Sequence, residues 1–364
     1  MRTAEPSGSG PLEGCLTIVV GSGGVGKTTI AAALGLQRAR EGHNSLVMTF
    51  DPSLRLKDAL GVGEDALDRE VPVNAGSSGS LHASLLDPRA TFNRLVARYA
   101  PDEPARDRIL GNRFYRHLAG SLAGILEYMA VERLYEAASS GRYARIVLDT
   151  PPTRQALDFL EAPARIVGFL DSGALRIALR HWFDDRGHLR GAVGIPLVGR
   201  GIEAFLDRVV GLGLLRDMAE FFQAFGPLFD GFRQRALEVQ ELLRSPETRF
   251  LVVSGPGEER IADTMFFARK LHETGHRVGP ILVNRVHPML PPRPRQGREP
   301  EGAALLRWLG ERDRRGLEAL ERLVGRNGLV AVPLLPGAPA GLEELERLGA
   351  LVVREAASAV PALR

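Results

Sequence analysis

Short apolar runs rich in β-branched residues recur along the chain, most of them closed by a glycine, a proline or a polar residue. The first, residues 15–20 (CLTIVV), does not alternate polar with apolar positions, as expected of a strand buried on both faces. A glycine-rich turn follows at once, and residues 28–40, rich in Ala and Leu and stopping near Gly42, predict a helix. Runs of the same kind at 45–49, 81–86, 144–148, 250–253, 281–283 and 329–332 predict further strands. Strands that alternate with helical stretches imply a mostly parallel sheet flanked by helices, an α/β architecture. Two stretches break the rhythm. Residues 91–140 carry helical periodicity, and residues 162–243 contain no clear strand. In the second, apolar positions recur at helical spacing through Ile166, Val167, Phe169 and Leu170, then Ile202, Phe205 and Leu206, then Met218, Phe221, Phe222 and Phe225. Together they are expected to form a helical subdomain inserted in a single domain over 15–364, behind a flexible, polar leader at 1–14.

Composition narrows the class without naming a chemistry. With 364 residues, 44% hydrophobic and 25% charged, the chain can bury a substantial core. A formal net charge of +3 gives no reason to expect nucleic acid as a partner. The single cysteine, Cys15, allows no internal disulfide and no thiolate metal cage, and its place in an apolar run marks it as a small core residue. No secretory leader and no apolar stretch of membrane-spanning length is expected, so a cytoplasmic location is. Residues 288–300 (PMLPPRPRQGREP) read as a solvated Pro- and Arg-rich loop around Arg293 and Arg295.

Chemistry concentrates after the first strand. Gly21-Ser22-Gly23-Gly24-Val25-Gly26-Lys27-Thr28 fits G-x-x-x-x-G-K-[ST] between a strand and a helix, the context that a phosphate-binding loop requires. The glycines let successive N–H groups converge on phosphate oxygens, and the helix adds its dipole. Lys27 is expected on the β- and γ-phosphates, the Thr28 hydroxyl on Mg²⁺, and Thr29 near the α-phosphate. Asp149 closes a strand and reads either as a carboxylate holding the Mg²⁺ shell or as a turn aspartate; Asp51, before Pro52, reads either as the group that positions water or as turn chemistry.

The segment GGVGKTT at 23–29 resembles the deviant Walker A loop of MinD/ParA-type ATPases, a P-loop NTPase group. TFDPSLRLKDALG at 49–61 and LDTPPTRQALDFL at 148–160 resemble the two switches of the ArsA family, which includes the arsenite-pump and tail-anchored-protein targeting ATPases. FLVVSGPGEERIADT at 250–264, ILVNRVHP at 281–288 and VPLLPGAPAGLEEL at 332–345 follow in the family's order, and NRFYRHLAGSLAGILEYMAVE at 112–132 resembles a bacterial branch of anion-transporting ATPases. The resemblance implies Mg-dependent ATP hydrolysis by a nucleotide-gated dimer. Gly23, Gly24, Val25, Gly26, Lys27, Thr28 and Thr29 would bind phosphate and Mg²⁺. Asp51 would act on the water, with Lys27 beside the transferred phosphoryl group. Asp149 would support the metal, Asp58, Thr150, Pro151 and Pro152 would belong to the switches, and Asn284, Pro333 and Leu334 would meet the adenine.

Three departures qualify this resemblance. Ser22 stands where the family carries a lysine that reaches the partner's γ-phosphate. A paralogous partner bearing that lysine, or an in-chain arginine such as Arg55 or Arg154, would be needed to replace it. The cysteines of the arsenite sensor and of the zinc clasp are missing, and Arg154-Gln155 replaces Gly-His. Two other functions stay open: an ATP-binding regulatory subunit with little turnover of its own, and a partitioning-type spatial organiser. The second is disfavoured because the last helix, at 341–356, carries more Glu than Arg. The apolar helical stripes would be core faces or a groove for an apolar client helix.

Overall fold

A computed structural model describes residues 15–51, 55–76, 78–115, 125–171, 212–291, 302–339 and 341–362. The leader, the stripe at Ile202, Phe205 and Leu206, and Arg293 and Arg295 lie outside the described residues. Eight strands form one sheet in the order β3-β4-β2-β5-β1-β6-β7-β8. They are β1 (Leu16–Gly21), β2 (Ser45–Thr49), β3 (Val71–Val73), β4 (Leu81–Leu85), β5 (Arg145–Asp149), β6 (Thr248–Ser254), β7 (Val278–Val286) and β8 (Leu329–Pro333). All pairings are parallel except β3 with β4. Every residue of β1 and β2 is buried, which is why their sequences run apolar without alternation.

The expected strands are found, with β7 longer than the expected 281–283 and two further differences. β3 was not anticipated: it is three residues long with Pro72 at its centre, a composition tolerated only at a sheet edge, where one side of the strand has no ladder to complete. Cys15 is exposed and precedes β1 instead of opening it, so it is not the small core residue its apolar neighbours suggest. Partial burial and the neighbouring Glu247 raise its thiol pKa.

Helix α1 (Lys27–Arg40) packs on the sheet and against the last described helix, Leu342–Ala356. Both contacts use glycine. A Cβ on Gly35 would lie 2.0 Å from Val47 Cγ2, and one on Gly349 would lie 2.5 Å from the Ala33 carbonyl oxygen. Among the described residues no helix is long and apolar enough to cross a membrane.

By its internal contacts the chain divides into two compact units. One comprises Met1–Leu86, Ala137–Leu157 and Glu241–Arg364 and holds the sheet; the other comprises Asp87–Glu136 and Asp158–Gln240 and is helical where described. In the helical unit, α2 (Pro88–Tyr99) and α3 (Glu103–Gly111) each start on an aspartate cap, Asp87 and Asp102, with proline in the first turn. Phe92, Tyr115, Phe221 and Phe225 stack there, with Phe92 and Tyr115 ring centroids 4.4 Å apart. The Glu132 carboxylate accepts from Arg235 Nε at 2.7 and 3.0 Å, and the Arg235 guanidinium lies 4.2 Å from the Tyr99 ring centroid.

Candidate nucleotide site

The loop between β1 and α1 needs glycine for two separate reasons. Gly21 (φ 147°) is pressed against β6: a Cβ there would lie 2.1 Å from the Val253 carbonyl oxygen. Gly24 (φ 78°) and Gly26 (φ 93°) adopt the left-handed conformation that side chains disfavour. Gly23 and Gly24 are exposed, whereas Val25 turns into the core. Gly26 caps α1 in the left-handed conformation and, having no side chain, makes no cap hydrogen bond to the first turn. The helix therefore presents uncapped N–H groups and the positive end of its dipole, a ready anion site.

Lys27 opens the helix and is 7% exposed; its Nζ donates to the Ser22 carbonyl at 3.0 Å. Burial lowers its pKa, opposed by the charges of Asp149 and Asp51 and reinforced by that of Arg55. Lys27 thus lies within electrostatic reach of two carboxylates and one guanidinium. Thr28 and Thr29 are partly exposed on the same turn. Arg55 and Asp58 are exposed on the short helix Arg55–Leu60, and Arg154 is exposed beyond Pro152.

Strand order brings Asp149 beside the loop, because β5 lies between β1 and β2. Asp149 is fully buried, and its Oδ2 accepts from the Thr28 hydroxyl at 2.7 Å and the Thr49 hydroxyl at 2.9 Å. Its Oδ1 is buried with no partner among the described residues. Burial pushes its pKa up to about 6, against the two hydroxyl bonds and Lys27. Thr49 has a second bond: its Oγ1 accepts from the Asp51 backbone N–H at 3.1 Å, which fixes the exit of β2. Thr150 is buried and donates to the Val19 carbonyl at 2.9 Å, tying the exit of β5 to β1; Pro151 is buried and Pro152 exposed.

Among the described residues no three His, Cys, Asp or Glu side chains gather as a metal cage. A divalent cation here would rely on a hydroxyl, water and phosphate oxygens, the usual donor set for Mg²⁺. The Thr28 hydroxyl gives its proton to Asp149, which leaves its lone pairs open to a cation. The unpartnered Asp149 Oδ1 suits a water of the cation's shell. These residues fit the ion.

The other side of the loop is built by β7 and β8. Asn284 Nδ2 donates to the Val25 carbonyl at 2.8 Å, and its Oδ1 accepts from the Arg285 N–H at 3.0 Å. Asn284, expected against adenine, thus uses both side-chain groups on the protein and keeps one amide hydrogen in reserve. Pro333, paired with Val286 in the β7–β8 ladder, and Leu334 are exposed, and the Leu334 N–H donates to the Val286 carbonyl at 2.8 Å. Two participants are not singled out by sequence: Thr49, and Arg285, whose Nη1 donates to the Gly24 carbonyl at 3.2 Å. Thr49 carries a weak signal, a hydroxyl at the strand end two residues before Asp51. Arg285 carries none beyond its adjacency to Asn284.

Comparison with known proteins agrees with this geometry. Residues 16–177 match the family described as anion-transporting ATPase. The chain is 26% identical over 337 residues to ATPase get3 of Neurospora crassa, covering 92% of this chain and 89% of that protein. It is 28% identical over 340 residues to ATPase GET3 of Podospora anserina, with the same coverage of 92% and 89%. Over a shorter span of 148 residues it is 33% identical to ATPase get3 of Aspergillus terreus, covering 40% of this chain and 42% of that one. The phosphate loop and the buried Asp149 both lie within the span of the family match.

Proposed function

We propose that the chain binds ATP at residues 21–29 and hydrolyses it with Mg²⁺, using the nucleotide to switch the state of a cytoplasmic dimer. The observation that carries this reading is the Thr28–Asp149 hydrogen bond at the mouth of an uncapped helix. Lys27 neutralises phosphate charge from inside the loop, and the α1 amides hold the phosphate oxygens. The Thr28 hydroxyl and the free Asp149 oxygen hold the metal shell, and Mg²⁺ when bound supplies charge neutralisation on the phosphates. Asp51, at the exit of β2, orients water for in-line attack. Positioning and preorganised charge account for most of the rate. Asn284, Pro333 and Leu334 form the adenine side, and Asp58 with residues 150–152 moves with the phosphate.

A second reading follows from Ser22. Its side-chain oxygen is buried with no hydrogen-bond partner among the described residues and carries no charge, so a homodimer would lack the family's cross-site lysine in both sites. The chain would then be a nucleotide-binding half of a heterodimer with a lysine-bearing paralogue. The field of Arg55 at Lys27 supports the contrary arrangement, an in-chain cation.

Steady-state ATPase measurement of the purified chain with Mg²⁺, beside Lys27→Ala, separates these. Turnover that disappears in the variant supports the complete enzyme. ATP binding without turnover supports the half-enzyme, and no ATP binding by the native chain overturns both.

A further inference from the structure

The exit of β7 is an unusual piece of backbone. Arg285 has φ 64°, one of two described non-glycine residues with positive φ, in a strand whose register with β8 shifts between Val283 and Val286. A left-handed arginine is strained and persists only where its surroundings fix it. Here they do. The Asn284 side-chain Oδ1 accepts from the Arg285 N–H, the Val286 backbone carbonyl is held by the Leu334 N–H, and His287 donates its backbone N–H at 2.9 Å to buried Asp313, which its Nδ1 also meets at 2.7 Å. Gly310 follows as a glycine because a Cβ would lie 2.7 Å from the Pro288 carbonyl oxygen.

The effect of this bulge is to turn the Arg285 side chain back over the phosphate loop. Its Nη1 bonds to the Gly24 carbonyl, and its Nη2 lies 3.9 Å from where a Cβ on Gly26 would be. Arg285 is exposed, and no described acidic side chain pairs with it. Four of its five N–H donors are left over beside a loop whose own amides are arranged for phosphate. In the sheet order, Asp149 approaches the loop from the β5 side, and Arg285 approaches it from the β7 side.

We infer that Arg285 is a positioning cation for the nucleotide: it clips the loop through Gly24 and gives its remaining donors to the phosphate chain of a bound nucleoside di- or triphosphate, opposite Lys27. This rests on the nucleotide reading above and adds a residue to it. The charge is the essential part, because a neutral side chain can keep the Gly24 bond but cannot pair with phosphate.

The test is the dissociation constant of ADP, measured by titration calorimetry on the full chain, for the native protein and for Lys27→Ala, Arg285→Gln and Arg285→Lys, each checked by thermal melting. Arg285→Gln is expected to weaken ADP about tenfold or more, with Arg285→Lys recovering most of the loss. If Arg285→Gln binds ADP like the native chain while Lys27→Ala does not, the inference falls and the nucleotide reading stands. Equal losses in the Gln and Lys variants also overturn it, since loop geometry and not charge would then be at work. If the native chain binds no ADP, both fall together.

Discussion

At the scale of single residues, the phosphate loop separates two costs that are usually confounded. Gly24 and Gly26 both sit at positive φ, 78° and 93°, so an alanine at either place pays backbone strain of about 1–2 kcal/mol. Around Gly24 there is open space, whereas a Cβ on Gly26 would lie 2.5 Å from Asn284 Nδ2. Gly26→Ala must therefore also displace Asn284 from the Val25 carbonyl, and with it the base of Arg285. We expect Gly24→Ala to lower stability modestly and keep ADP binding measurable, and Gly26→Ala to lower stability further and remove binding. Denaturant unfolding together with ADP titration of the two variants checks this, and equal effects would show that the Asn284 contact is irrelevant to the site. Asp149 is tuned differently: its environment disfavours its own charge, and the free Oδ1 is where a compensating group belongs.

At the scale of elements, the helical unit carries a buried ion pair whose balance depends on pH. Glu132 is 3% exposed on the helix Ile125–Ser139, and Arg235 is 5% exposed on the helix Phe229–Arg244. Burial pushes Glu132 up to about 7, outweighing its bonds to Arg235, with Glu136 adding to the rise. Glu136 is itself held by Arg94 and Arg133, both at 3.1 Å. A folded-state value above the ordinary carboxylate value means that this group favours folding most below about 4.5 and loses that contribution as pH rises through about 7. At ~1.4 kcal/mol per unit the loss is roughly 3 kcal/mol, Arg235 having already offset part of the burial penalty. The melting midpoint of the native chain should therefore fall between pH 5 and 8 more steeply than that of Glu132→Gln; parallel profiles would mean that Arg235 keeps the carboxylate ionised throughout. Such a pair is not legible in sequence, since its partners lie 103 residues apart. The strands were legible for the opposite reason: β1 and β2 announce themselves as continuous buried apolar runs. β7 was underestimated because Pro280 and the polar Asn284-Arg285 interrupt its apolar stretch, and β3 was missed because a three-residue edge strand around a proline has almost no pattern. In the site, contiguous Gly21–Thr28 could be read directly. The contacts of Thr28 with Asp149 and of Gly24 with Arg285 span 121 and 261 residues and depend on strand order, which no local pattern contains.

At the scale of the whole molecule, the open quantity is whether one chain suffices for turnover, and position 22 gives access to it. The Ser22 side-chain oxygen is buried and makes no hydrogen bond among the described residues, so the serine contributes little that a substitution would lose, while its carbonyl keeps Lys27 in place through the backbone. Ser22→Lys restores the cation that the ArsA-type resemblance places across a dimer. If two copies of this chain face each other through their loops, each added lysine enters the other's site and supplies a donor of the kind whose removal costs about 10²–10³ in rate elsewhere. We expect turnover per chain to rise at least ~tenfold, with ADP affinity changed far less, because the interaction belongs to the transition state. The rise should depend on protein concentration, since a cation acting in trans is felt only by the associated fraction. A rise independent of concentration would place the new lysine in its own site. No rise, with ADP binding intact, would mean that the loops do not meet in a homodimer. The serine would then belong to a chain whose partner brings the charge, or to one in which its own arginines already provide it, and mixing with a lysine-bearing paralogue distinguishes these because only the first gains turnover.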